Sequence, residues 1–166
     1  MKKVAISVYN KKKEGNTCTV YQTVRYIGIS KKTVQHVVQS VLHSLRIHGD
    51  VSVHYIGTKK MQTLNYRFRG KNRPTDVLSF AAQEGESLPG FSHHDLGDIF
   101  ICVPYIQAQA RSYGISYTEE SLRMLIHGVL HILGYDHEKT RDAKVMFALQ
   151  EKFLSEHVRI QDRSFS

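Results

Sequence analysis

Three histidines with regular spacing are the residues of this chain best suited to chemistry. His127, His131 and His137 stand in the segment HGVLHILGYDH, at the end of an apolar run over residues 122–133. On a helix, His127 and His131 would project from one face, one turn apart. Gly134 can adopt the left-handed conformation that ends a helix, which would bring His137 to the same side. Three converging imidazoles predict a catalytic zinc site with a fourth position for water.

The residue after the first histidine bears on the reaction. The spacing His-x3-His-x2-Gly-x2-His matches the metzincin zinc signature at every position but one. Zinc proteases have Glu there, as the general base, and this chain has Gly128. The pattern therefore predicts a metal site for another reaction, or a structural one. A structural site usually has four ligands and is rich in cysteine, and Cys18 or Cys102 could join the histidines only through the fold.

A basic segment lies upstream of the histidines. Residues 59–73 include six basic side chains and no acidic one, with Tyr66 and Phe68 between them. The segment leads into residues 74–80, PTDVLSF, which read as a turn followed by a strand. Basic side chains at a strand entrance suit a phosphate group, although a solvated helix face would also be basic. The net charge of +8 also favours an anionic partner, most commonly nucleic acid.

The elements that must position these residues follow from hydrophobic periodicity. We expect an α+β domain in which helices cover a mixed β-sheet, with a zincin-like metal helix. The predicted strands are 4–8, 51–55, 77–80 and 96–103. The predicted helices are 31–48, 58–68, 104–113, one that ends at 133, and 138–155. Ser30 caps the first of these helices, and Ser116 or Thr118 caps the helix that ends at 133. Residues 18–29 are ambiguous, 83–95 form an exposed loop, and the polar tail after about 158 is frayed.

Composition and cysteine usage bound the class of protein. The 166 residues, 41% hydrophobic and 23% charged, suit a single domain over 1–166. No apolar run is long enough to cross a membrane, and the N-terminal residues do not resemble a signal peptide. Two cysteines without a paired spacing favour a reducing compartment. In the strand 96–103, Asp98 needs a partner if it is buried, and it could orient a ligand histidine or merely end the loop.

Three stretches together resemble the YbeY endoribonucleases, also called rRNA maturation factors. Residues 68–80 resemble the family's Arg-Gly-Lys…Pro-Thr-Asp-Val-Leu-Ser-Phe segment. Leu96-Gly97-Asp98-Ile99 resembles its Leu-Gly-Asp-Ile strand, and residues 127–137 resemble its His-Gly-x-Leu-His-x-x-Gly-Tyr-Asp-His signature. The departures are Asn72, where Asp is frequent, Ala81, where Pro is frequent, and a fairly long loop before residue 96. None of these departures falls on His127, His131 or His137.

The resemblance implies a cytoplasmic, metal-dependent RNase that matures the 3′ end of small-subunit rRNA and takes part in ribosome quality control. It implies one zinc ion per chain, with His127, His131 and His137 as ligands, and Arg69 as a required basic residue. We add Lys71 and Arg73 as RNA-binding residues. Small-subunit ribosomal proteins and an assembly GTPase are the partners that relatives suggest, with no membrane. The alternatives are a metzincin-like protease and a non-catalytic rRNA-binding assembly factor with structural zinc.

Charge favours RNA over peptide as the substrate of such a site. Three neutral imidazoles leave the metal's double charge uncompensated, and Arg69 adds to it. A phosphodiester gains negative charge as its phosphorus becomes five-coordinate, so this positive field lowers the barrier. Bound zinc also lowers the pKa of water to about 7, which partly replaces the missing Glu. We therefore expect hydrolysis of single-stranded RNA.

Overall fold

The computed structural model describes residues 15–25, 27–82 and 94–163, with side chains up to residue 158. Four strands and five helices follow one another in this part of the chain. They are β1 (Thr17–Gln22), α1 (Lys31–Ser44), β2 (Asp50–Ile56), α2 (Thr58–Arg69), β3 (Val77–Ala81), β4 (Asp95–Cys102), α3 (Val103–Tyr113), α4 (Tyr117–Ile132) and α5 (Thr140–Arg163). None of the helices in this part is long and apolar enough to cross a membrane.

The four strands form one mixed sheet in the order β1-β2-β4-β3. β1, β2 and β4 are parallel, and β3 pairs antiparallel with β4. Because side chains alternate along a strand, each strand presents one set to each face. Val53 and Ile99 face the main core with α1 and α4, while Leu78 and Cys102 pack with Met61 of α2 in a smaller cluster. The predicted α+β class with a helix-covered mixed sheet is confirmed.

Helix α4 is the central element of the main core. The side chain of Ser116 caps it by accepting a hydrogen bond from the backbone N–H of Glu119, at 3.0 Å. Its Gly128 lies against the sheet, so that a Cβ added there would be 2.7 Å from Cγ2 of Ile99 and 3.4 Å from Cγ2 of Val77. This close approach fixes the height of α4 above β3 and β4, and therefore the position of the two histidines that α4 carries.

Helix ends and one strand differ from the prediction. α1 ends at Ser44, before the predicted stop at Gly49, because Arg46 is left-handed (φ 57°) and the N–H of Ile47 bonds back to the carbonyl of Leu42 at 2.9 Å. α5 continues through Arg163, beyond the predicted end at about residue 155. β1 forms within the ambiguous segment. The predicted strand 4–8 and most of the predicted loop 83–95 lie outside the described residues.

Candidate metal centre

The three predicted histidines come together in one cluster. His127, His131 and His137 each offer a ring nitrogen, and these atoms lie within 4.8 Å of one another. Nε2 of His127 is 3.0 Å from Nε2 of His131, and the ring of His137 lies 5.3 Å and 4.9 Å from the other two ring centres. Tetrahedral zinc with Zn–N bonds of 2.0–2.1 Å holds its ligand nitrogens about 3.3 Å apart. The cluster therefore fits a single divalent metal ion with nitrogen ligands.

The turn after α4 brings the third histidine to the other two. Gly134 has φ 84°, and its N–H bonds to the carbonyl of His131 at 2.9 Å, as the sequence predicted for the helix end. Asp136 then stabilises the turn, because its carboxylate accepts hydrogen bonds from the backbone N–H groups of His137 and Glu138 at 2.6 and 3.2 Å. The ring of His137 stacks on Phe147 of α5 at 5.9 Å.

Burial keeps two of the candidate ligands neutral. Burial, together with the neighbouring imidazoles, lowers the pKa of His131 to about 4, against the charge of Asp136 and a hydrogen bond to the backbone of Tyr135. Burial also lowers the pKa of His127, against the hydrogen bond that its ring donates to Gln150. Only a neutral imidazole has a free electron pair for a metal. His127 and His131 are therefore ready to bind a cation at neutral pH without first losing a proton.

Gln150 of α5 orients one of these rings. Its Oε1 lies 2.8 Å from Nδ1 of His127, and its Nε2 donates to Oε1 of Glu151 at 3.2 Å. An amide oxygen only accepts, so the proton of His127 is on Nδ1, and Nε2 faces the cluster with its electron pair. Gln150 was not predicted from the sequence as a residue of the site. The available signal was a polar residue in the apolar stripe of α5, between Met146 and Phe153.

A group of charged residues lies behind this contact. Arg123 forms ion pairs with Glu151, with Glu119 at 3.0 Å and with Glu120 at 3.3 Å. Glu120 is only 1% exposed, and burial raises the pKa of its carboxyl group. It precedes His127 by seven residues and therefore lies on the same face of α4. The sequence alone had not predicted a role for Glu120 at this site.

Asp76 follows the basic segment by three residues and interacts electrostatically with His127. Burial lowers the pKa of His127, and the negative charge of Asp76 is one of the weaker effects that oppose this lowering. Its carboxylate is held by the backbone N–H of Val77 at 2.8 Å, and its own carbonyl accepts from the N–H of Cys102 at 2.8 Å. Asp76 thus joins the end of the basic segment to the strand beneath α4.

The predicted RNA-binding residues are exposed. Arg69 is the last residue of α2, followed by left-handed Gly70 (φ 69°), and Lys71 and Arg73 lie in the loop beyond. Asn65 holds this loop, because its Nδ2 donates to the carbonyl of Arg73 at 2.7 Å. Among the described residues, no carboxylate forms an ion pair with any of the three basic side chains. Their charges are therefore available to a phosphate.

Asp98 does not have the expected neighbour. Its Oδ1 accepts a hydrogen bond from Nε2 of His54 on β2 at 2.7 Å, and its side chain is 42% exposed. Side chains alternate along β4, and Asp98 lies on the face opposite to Ile99, whereas α4 packs on the Ile99 side. Asp98 therefore contacts His54 and not a ligand histidine, and the group that accepts a hydrogen bond from His127 is Oε1 of Gln150.

The surroundings of the cluster argue against a cysteine as fourth ligand and against the protease alternative. Cys18 is buried in the main core and Cys102 in the smaller cluster, and in the described part of the chain neither joins the three histidines. A cysteine as fourth ligand is therefore not supported. The protease alternative needs a side chain at position 128, and the 2.7 Å approach of a Cβ to buried Ile99 leaves no room for one.

Known proteins match this chain over most of its length. Residues 19–158 match the family model described as Endoribonuclease YbeY. Endoribonuclease YbeY of Sulfurihydrogenibium sp. is 38% identical over 145 residues, 86% of this chain and 93% of that protein. The Persephonella marina protein of the same name is 41% identical over 129 residues, 76% and 83% of the two chains. The solution structure of TM1509 from Thermotoga maritima has a TM-score of 0.62 and 28% identity, over 89% of this chain and 93% of that one. By its histidine cluster, its fold and these matches, the chain belongs to the endoribonuclease YbeY family, a family of RNA-cutting hydrolases.

Proposed function

We propose that this protein is a zinc-dependent endoribonuclease that hydrolyses single-stranded RNA. The observation that carries the proposal is the cluster of His127, His131 and His137, with its ring nitrogens within 4.8 Å of one another. The exposed basic segment, residues 59–73, supports RNA as the substrate. Membership of the YbeY family supports the same reaction.

Each residue of the site has a separate task in this proposal. His127, His131 and His137 hold one zinc ion, and Gln150 keeps the electron pair of His127 directed at it. Zinc bound there supplies positive charge for the phosphate and a water of lowered pKa. Arg69 binds the phosphate and stabilises the negative charge that develops on it, with Lys71 and Arg73 binding neighbouring phosphates.

The charge of the ligand set favours a phosphodiester over a peptide. The three candidate ligands are imidazoles, two of them with lowered pKa, so they do not neutralise a divalent cation. A site of this charge stabilises an anionic transition state, and an anionic substrate gains most from it. No side chain at position 128 can serve as the base that peptide hydrolysis needs.

We further propose that the RNA is ribosomal. Maturation of the 3′ end of small-subunit rRNA, and ribosome quality control in the cytoplasm, are the roles that the family resemblance suggests. Small-subunit ribosomal proteins and an assembly GTPase are the corresponding protein partners. Neither role alters what the histidines and Arg69 must do chemically.

One experiment separates nuclease, protease and assembly factor. The purified protein is incubated with end-labelled single-stranded RNA and with an unfolded protein, each with and without a chelator. RNA cuts that the chelator abolishes support the proposal. Peptide cuts indicate a metzincin-like protease, and tight RNA binding without cuts indicates an rRNA-binding assembly factor with structural zinc. The His131→Ala variant, purified identically, excludes cutting by a contaminating RNase.

A further inference from the structure

Aromatic rings from four strands and one helix form a continuous row on the sheet face opposite α4. We call it the aromatic row, and its members are Tyr21 on β1, His54 on β2, Phe100 on β4, Phe80 on β3 and Phe68 on α2. Ile99 and Ile101, which flank Phe100 along β4, belong to the core beneath α4, so Phe100 points to the other face. The row is thus separate from the side chains that hold the metal cluster.

Strand register aligns the first three rings. Tyr21 is the direct partner of His54, and His54 is the direct partner of Phe100. The ring of His54 stacks on Tyr21 at 4.8 Å and on Phe100 at 4.4 Å, with interplanar angles of 11° and 12°. The hydrogen bond from His54 to Asp98 fixes its ring in the middle. Ring stacking and this hydrogen bond therefore hold the middle of the row in place.

Phe68 forms the end of the row and remains exposed. Its ring lies 4.8 Å from that of Phe80, which in turn lies 5.8 Å from Phe100. These contacts support Phe68 from beneath, yet 52% of the residue is open to solvent. The guanidinium of Arg67 lies over the ring at 5.4 Å. A large apolar ring is thus held in a defined place without being buried.

The surroundings of Phe68 are strongly basic. It lies between Arg67 and Arg69, within the segment 59–73, in which all six basic side chains are exposed and no residue is acidic. Tyr21, at the other end of the row, lacks such neighbours along its strand, Thr17–Gln22. Charge therefore singles out Phe68 as the end that an anionic strand would reach.

We propose that Phe68 stacks on a base of the single-stranded RNA whose phosphates bind the basic segment. This inference rests on the proposed function, because it assigns a contact to the same substrate. An exposed ring beside arginines is the arrangement by which proteins bind unpaired bases, and stacking tolerates any base. Phe80 and Phe100 act as the support that keeps the ring in place. Arg67 turns from the ring to a phosphate when the base arrives.

The competing explanation is that Phe68 only covers Phe80, as any apolar side chain would. Leucine would serve that purpose, whereas stacking requires a ring. Phe68→Leu and Phe68→Trp therefore separate the two explanations. Tyr66→Leu is the matched control, because Tyr66 is 62% exposed on the same helix and lies two residues earlier, on the opposite side of α2.

Fluorescence anisotropy with the full-length, zinc-loaded protein tests the proposal. The probes are a labelled single-stranded oligoribonucleotide with phosphorothioate linkages, which slow cleavage, and the same backbone with a run of abasic sites. We expect Phe68→Leu to weaken binding of the base-containing strand about fivefold or more. It should leave the abasic strand unaffected. Phe68→Trp and Tyr66→Leu should bind both strands like the unmodified protein.

The outcomes distinguish this inference from the proposed function. If Phe68→Leu binds the base-containing strand as tightly as the unmodified protein, stacking is wrong and RNA binding stands. If it weakens both strands equally, Phe68 acts on the backbone or the local fold, which also overturns stacking. If the unmodified protein binds neither strand, the proposed RNA substrate fails and the stacking contact fails with it. Thermal unfolding of each variant checks that the protein is folded.

Discussion

Nδ1 of His127 on α4 lies 2.8 Å from Oε1 of Gln150 on α5. The contact joins the helix that carries two candidate ligands to the last helix of the fold, and it selects the tautomer in which Nε2 of His127 faces the other histidines. Gln150 in turn donates to Glu151, which pairs with Arg123 of α4. Metal affinity should therefore depend on α5, although α5 supplies none of the three histidines.

Replacing Gln150 should weaken metal binding without removing a ligand. Gln150→Leu abolishes the acceptor for Nδ1–H, so the ring of His127 loses its orientation. We expect zinc affinity to fall about 10- to 100-fold, as for other residues that hydrogen-bond a metal ligand. Competition with a chromophoric chelator measures this. Gln150→Glu, which keeps an acceptor oxygen, should retain most of the affinity, and equal zinc affinity in Gln150→Leu would show that the contact is unimportant.

Adding a methyl group at Gly128 should destabilise the fold. The Cβ of Gly128→Ala would lie 2.7 Å from Cγ2 of Ile99, which is branched at Cβ and completely buried. Overpacking should lower the free energy of unfolding by about 1–3 kcal/mol. The better helix propensity of alanine offsets up to about 1 kcal/mol of this loss. Urea unfolding of the metal-free protein measures the difference.

Ile99 provides the control for that substitution. If the clash is the cause, Gly128→Ala combined with Ile99→Ala should lose less stability than the sum of the two single losses. Simple additivity would mean that Ile99 is not what excludes a side chain from position 128. If Gly128→Ala is as stable as the unmodified protein, position 128 can accommodate a side chain, and the protease alternative regains support.

Reversing the charge of Arg69 should separate metal binding from RNA cleavage. Arg69 is exposed at the end of α2, away from the hydrogen bonds that hold the three histidines. Arg69→Glu should keep one zinc per chain and lose at least 100-fold in cleavage, since removal of one charge-stabilising donor costs about 10²–10³. Arg111→Glu changes the net charge equally at an exposed position on α3. Similar losses in both variants would mean that total charge, and not Arg69, matters.

The stability of the metal-free protein should decrease as the pH is lowered through a defined range. The pKa of His131 is about 4 in the folded protein, below its ordinary value of 6.5. Between these values the unfolded chain binds a proton that the folded chain does not, so stability is complete above about pH 6.5 and is lost as pH falls toward 4. Chemical unfolding across this range measures it. His131→Gln should flatten the curve, and an unchanged slope in that variant would contradict the assignment.

The sequence predicted most of what holds the three histidines and less of what surrounds them. Helical periodicity, the cap at Ser116 and the glycine at 134 act locally, so the spacing of the histidines was enough to predict one cluster. The roles of Gln150 and Glu120 depend on how α5 packs against α4, and the sequence of a single segment does not contain that information. Asp98 was misassigned for the same reason, because its partner His54 lies on a neighbouring strand. The early stop of α1 depends on left-handed Arg46, a residue without the usual signal for that conformation.

The proposal is that one zinc ion, held by His127, His131 and His137, is required for RNA cleavage. A zinc titration tests this most directly. Metal-free protein is mixed with increasing zinc, and cleavage of a labelled single-stranded RNA is followed at each step. We predict that cleavage is absent without metal, rises linearly to one equivalent of zinc per chain and then stays constant, and that His131→Ala does not cut at stoichiometric zinc. Full cleavage by the metal-free protein, or by His131→Ala, would contradict the assignment.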